Sequence, residues 1–207
     1  MKILGVVLDR RLTFVKHVMA VARSCNYHVQ AIRHIRHLLS TDLATTRACS
    51  LILSRLDYCN SLLHGAPTSS ISTLQRVQNN AARIILQAPR CSHARPLLHQ
   101  LHWLPVHHRI DYKLAVMTYK IHRSSTPAYL SRHIKLLQSA RSLRSSDVPL
   151  LDKPIIRTEF AKRYFRYFAP SVWNSLPTQI VNSNSLTAFK SRLKSHFLPR
   201  CIECRAV

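Results

Sequence analysis

The chain has 207 residues, 46% of them apolar, and carries 31 Lys and Arg against 8 Asp and Glu, a formal charge of +23. That length and apolar share suffice for a buried core, which excludes disorder throughout. The charge excess goes beyond what solubility needs and points to an anionic partner, either nucleic-acid phosphates or an acidic membrane surface.

No apolar run reaches the roughly 18–20 residues of a membrane span. In the opening MKILGVVLDRR, the short apolar stretch from Ile3 to Leu8 stops at Asp9, Arg10 and Arg11, where a secretory signal would need a cleavage site. These features place the chain inside the cell, in nucleus or cytoplasm, with no membrane partner. Its Cys residues, at positions 25, 49, 59, 91, 201 and 204, then read as free thiols.

With only two Gly, the sequence predicts a mainly α fold: a helical bundle over 13–137, then a mixed, loop-rich C-terminal extension over 138–207 with short strands and a terminal helix. Phe14, Val18, Val21, Cys25, Val29, Ile32, Ile35 and Leu39 recur at helical spacing and predict a first helix of about 39 Å, with Thr13 as its N-cap. A second helix is expected from Ser40 or Thr41 through Leu51, Leu56, Cys59 and Leu62 to a Gly65 cap.

A third helix, about 72–88, is expected to bury Leu74, Val77, Ala81, Ile84 and Ile85 and to turn Arg76, Asn80 and Arg83 outward. The stretch LHWLPVHHRIDYKLAVMTYK then opens a fourth helix after Pro105, with Ile110, Leu114, Met117 and Ile121 inward and Arg109, Lys113 and Lys120 on a neighbouring face. Trp103, Leu104 and Pro105 read as a packed corner at its entry. From Ser139 the texture breaks into short apolar runs separated by Ser, Pro and Asp, so a boundary is expected near residue 138. Ser185 caps a last helix carrying Leu186, Phe189, Leu193 and Phe197.

Chemistry-bearing patterns are weak. His34/His37, His99/His102, Cys91/His93 and Cys201/Cys204 contain metal-ligand types, yet neither paired zinc spacing nor HExxH occurs, so no metal and no cofactor are expected. The eight acids, Asp9, Asp42, Asp57, Asp111, Asp147, Asp152, Glu159 and Glu203, are scattered rather than paired for acid–base or two-metal work. Asp42 suits a helix N-terminus, and Asp57 and Asp111 are expected to pair with nearby Arg or Lys. No catalytic residue is assigned.

What remains are basic helix rows. Arg76 and Arg83 stand two turns apart, about 10 Å along one helix, and Arg109, Lys113 and Lys120 form a second row. Each residue alone reads equally well as a solvated face; the rows together read as a surface that tracks a phosphate backbone.

Six stretches, in order, carry a resemblance: KILGVVLDRRLTF (2–14), SRLDYCNSLLHG (54–65), LQRVQNNAAR (74–83), LHWLPVHHRIDYKL (101–114), APSVWNSLP (169–177) and LTAFKSRLKSHF (186–197). As a set they resemble the C-terminal part of reverse transcriptases from LINE-type, non-LTR retrotransposons. The resemblance implies that 1–12 is a leftover palm-end hairpin, that 13–137 is a thumb-like helical bundle, and that Arg76, Arg83, Arg109 and Lys113 lie beside a template–primer duplex; together with Lys120 of the second row they are expected to bind RNA or an RNA–DNA duplex. It also implies contact with a palm that this stretch lacks, and a truncated element copy as its origin. The family's adjacent aspartates, which hold the metals for nucleotidyl transfer, have no counterpart here, so no polymerase activity is expected. The alternative is an inert relic or a protein-interaction fragment.

Overall fold

Lys2–Ile3 (β1) and Val6–Val7 (β2) pair antiparallel, Lys2 opposite Val7 and Ile3 opposite Val6. The turn between them needs left-handed backbone, which Gly5 adopts at φ 81° without a Cβ penalty. Tyr58 Oη donates to the Leu4 carbonyl at 2.6 Å and ties the hairpin down. The computed structural model describes residues 1–137, 150–158 and 161–203, so the boundary expected near 138 falls outside the described residues. Two compact units emerge, Met1–Ile110 with Phe197–Val207, and Asp111–His196.

The fold is mainly α, with β1 and β2 as the two-stranded sheet. In the first unit, α1 (Val15–Ile35) is followed by α2 (Thr41–Ala48), a π-helical turn at Cys49–Leu53, α3 (Ser54–Asp57), α4 (Thr68–Ile85) and α5 (Ala94–Gln100). Helix α1 buries Val18, Ala22, Cys25, Val29 and Ile32 and packs chiefly on α4. From α4 it receives Leu74, Val77, Ala81 and Ile85, the apolar positions expected from their spacing. Ile84, expected inside, is half-buried.

Local differences from the sequence reading have physical causes. The N-cap of α1 is Phe14 rather than Thr13, held left-handed at φ 58° and with no side-chain cap. Asp9 accepts the Phe14 N–H at 3.0 Å and the Thr13 hydroxyl. The helix expected to run from Ser40 to Gly65 starts as foreseen, with the Ser40 hydroxyl accepting the Leu43 N–H at 3.3 Å, but does not run through. Thr45 and Ser50 donate their hydroxyls back to carbonyls at 2.8 and 3.0 Å, a competition that distorts helices, and the π turn follows. Helix α3 then ends at Tyr58, and Cys59 turns left-handed at φ 52°.

Helix α6 (Val106–Ser124) begins at the expected corner, where Trp103 and Leu104 are buried. The helix start rests on α4 through amides rather than on the indole alone. Gln75 Oε1 accepts the Val106 N–H at 2.8 Å, and Gln78, wholly buried, donates to the Leu104 carbonyl at 2.9 Å. Gln75 also donates to Gln78 at 3.0 Å, so each amide fixes the other.

The second unit holds α6 from Asp111 onward, α7 (Ala128–Ser131), α8 (Phe165–Asn174), α9 (Thr178–Val181) and α10 (Leu186–Glu203) as far as His196. Its core is aromatic: Tyr119 and Trp173 stack on Phe189 at 4.3 and 6.0 Å. Tyr119 Oη, buried, donates to the Ser183 carbonyl at 2.8 Å. The short strands expected in the extension are represented by an isolated bridge, Leu136 to Leu151, and the Asn174 amide clamps both backbone groups of Leu151 at 2.9 Å. Ser185 caps α10 as expected, accepting the Ala188 N–H at 3.1 Å.

Candidate nucleic-acid interface

A cation recognises phosphate only if the fold has not already neutralised its charge, so each basic residue is defined by what it touches. Arg109 is committed. Its Nε donates to Asp57 Oδ1 at 2.7 Å and its Nη2 to Asp57 Oδ2, a two-pronged pair on a side chain left only 16% exposed. Asp57 thus pairs with a cation 52 residues away rather than with the nearby Arg or Lys expected, and the pair turns Arg109 from the second basic row into a strut between α3 and α6. Among the described residues it is the only ion pair.

Lys113 and Lys120 are exposed on α6, two turns apart, and Arg76 is exposed on α4; no acidic side chain pairs with any of them among the described residues. Arg83 is intermediate. Its Nε donates to the Ser92 carbonyl at 3.1 Å and its Nη1 to Asn80 Oδ1 at 3.3 Å, which orients the guanidinium without neutralising it. The structure therefore leaves Arg76, Arg83, Lys113 and Lys120 with uncompensated charge and sets Arg109 apart.

Arg83 also lines a groove of about 610 Å³ between the C-terminal halves of α1 and α4. Arg33, Arg36, His37 and Arg90 line it too, and the sequence reading passed them over. The available signal was the clustering of Arg33, Arg36 and His37 within one turn at the end of α1. Arg36 is the structural member: buried, it donates to the carbonyls of Ile85 at 2.8 Å and Leu39 at 2.6 Å and to Thr41 Oγ1 at 3.1 Å, closing the C-terminus of α4.

Elsewhere, burial shifts several ionisable groups. Asp111, expected to pair with a cation, makes no ion pair among the described residues; burial pushes its carboxyl up to about 6. Burial raises the Cys25 thiol to about 11, and Cys25, Cys49, Cys59 and Cys91 are free. His17 and His64 are shifted down by burial. Among the described residues no three of His, Cys, Asp and Glu converge as a metal site, and no helix is long and apolar enough to cross a membrane.

The arrangement so defined is a helical scaffold presenting cations without counter-charges. Compared with protein-family models, with curated proteins and with solved structures, the chain matches none of them.

Proposed function

We propose that the chain is a non-catalytic nucleic-acid-binding segment of the LINE-type reverse-transcriptase family, gripping RNA or an RNA–DNA duplex by its phosphates without choice of sequence. The family part of this reading rests on the ordered motif set in the sequence. The binding part rests on one observation: Arg76, Arg83, Lys113 and Lys120 carry charge that no acidic side chain offsets among the described residues, in a chain of net charge +23. Phosphate contacts of this kind release counterions, so affinity must fall steeply with salt. Fluorescence anisotropy of a labelled RNA at two salt concentrations is the test; weak binding that ignores salt would end the reading.

One observation favours a second reading, a protein-interaction fragment. Met1, Ile3, Leu4, Leu12, Val15 and Met19 are all exposed near the N-terminus, Leu4 at 84%. Exposed apolar clusters of this kind mark interaction surfaces. A monomer that binds no apolar dye would count against it.

A further inference from the structure

The groove between α1 and α4 differs from the exposed rows in shape as well as charge. Its lining gathers Arg33, Arg36, His37, Arg83 and Arg90 and contains no carboxylate. Of the nearest acids in sequence, Asp9 is bonded to Thr13 and Phe14, Asp57 is held by Arg109, and Asp42 is not among the lining residues. The side chains of Arg33, His37 and Arg90 are exposed and have no hydrogen-bond or ion-pair partner among the described residues. Helix C-termini draw cations toward their carbonyls, yet here Arg36 already performs that closure for α4, which leaves the others in excess.

Two further features of the lining restrict what fits. Asn26, Gln30, Asn80 and Gln87 bring four side-chain amides, each able to donate and accept, and Val29 and Ile84 supply an apolar floor. Guanidinium groups suit phosphate oxygens, amides suit base edges and sugar hydroxyls, and the floor suits a sugar or base face. The volume lies within the roughly 300–1,000 Å³ of sites that enclose one small organic ligand. A strand of one or two nucleotides enters such a recess. A base-paired helix meets only its rim.

We infer that this groove seats a single-stranded nucleotide step, its phosphate between Arg33, Arg83 and Arg90 and its base or sugar against the amides, so that the chain prefers a single strand or a strand end to a closed duplex. The inference rests on the phosphate-binding reading above and adds a place and a strand preference to it. Arg83 arrives oriented by Ser92 and Asn80, and its guanidinium needs no reordering on binding. His37 is the one ring in the lining, so recognition runs through phosphates and amides rather than through a stacking platform.

The test compares the wild-type chain with the double variant R33A/R90A, both read by anisotropy on a short single-stranded RNA and on the same RNA annealed to its DNA complement. Arg33 and Arg90 carry no bonds of the fold, and circular dichroism confirms that the variant is folded; R33K/R90K restores charge and much of the binding. Loss of this phosphate site lowers the single-strand salt slope by about 0.7 and the affinity near 0.1 M salt by roughly 5-fold, while duplex affinity changes little. Equal losses on both probes, or no loss on the single strand, overturn the groove assignment while leaving phosphate binding intact. A wild-type chain without salt dependence on either probe overturns both. Displacement of the RNA by a comparable concentration of a nucleoside monophosphate would assign the groove to a free nucleotide and overturn its assignment to a strand.

Discussion

The two units hold themselves together by different chemistry. Asp111–His196 is built on stacked rings, with Trp173, Phe189 and Tyr119 buried against one another. Met1–Ile110 with Phe197–Val207 closes its helix ends with polar side chains: Arg36 on the carbonyl of Ile85, Gln78 on that of Leu104, Gln75 on the N–H of Val106, and Arg109 on Asp57. The lesson concerns charge. In a chain so rich in cations, the fold buries Arg36 on its own carbonyls and neutralises Arg109 with a carboxylate, and cations treated in neither way stay available to a ligand.

The contrast is sharpest where a single side chain is removed. Trp173→Ala takes away the centre of the ring cluster, and a loss of about 3–5 kcal/mol is expected in urea unfolding, enough to melt the second unit. A loss below about 1 kcal/mol would mean that the rings do not form its core. Next in size is Asp111→Asn. The unfolded carboxyl titrates near 3.8 and the folded one near 6, so between those values the folded state holds more protons than the unfolded state. Wild-type stability therefore falls as pH rises through that window and stays lowered above it. The variant lacks this term; its advantage, absent near pH 4, grows to as much as about 3 kcal/mol at neutral pH. Unfolding curves of both proteins across that range check the sign.

In the polar unit the expected effects are smaller. Gln78→Met keeps the volume but leaves the buried Leu104 carbonyl and the Gln75 amide short of a partner, a cost of about 1–3 kcal/mol. Arg109→Ala breaks a half-buried two-pronged pair, and about 1–2 kcal/mol is expected in thermal or urea unfolding. Lys113→Ala, one turn along the same helix, should change stability by less than about 0.5 kcal/mol. Equal costs at 109 and 113 would erase the distinction between committed and available cations.

The helices were legible in the sequence wherever a long apolar stripe repeats, as on α1, α4 and α6, and where a serine cap is local, as at Ser40 and Ser185. The rest depends on partners distant in the chain or on competition that spacing does not encode. Thr13 does not cap α1 because its hydroxyl is bonded to Asp9, whose carboxylate also holds the Phe14 N–H. The π turn at Cys49–Leu53 follows hydroxyls that compete for helix carbonyls, and α5 is too short to show a period. Gln78 reads as a surface residue until Leu104 is placed beside it. For the candidate site, the rows were readable one helix at a time. The groove was not, because it exists only where Arg33 and His37 of one helix end face Arg83 and Arg90 of another. Nor does helical spacing reveal that Asp57, distant in sequence, occupies Arg109.

The central claim is that cations without an acidic partner in the fold are the ones that meet phosphate, and the salt dependence of single-stranded RNA binding by R76A/K113A/K120A tests it most directly. Three lost phosphate contacts should lower the slope of log affinity against log salt by about 2 relative to the wild-type chain, with stability unchanged. A slope equal to that of the wild type would contradict it.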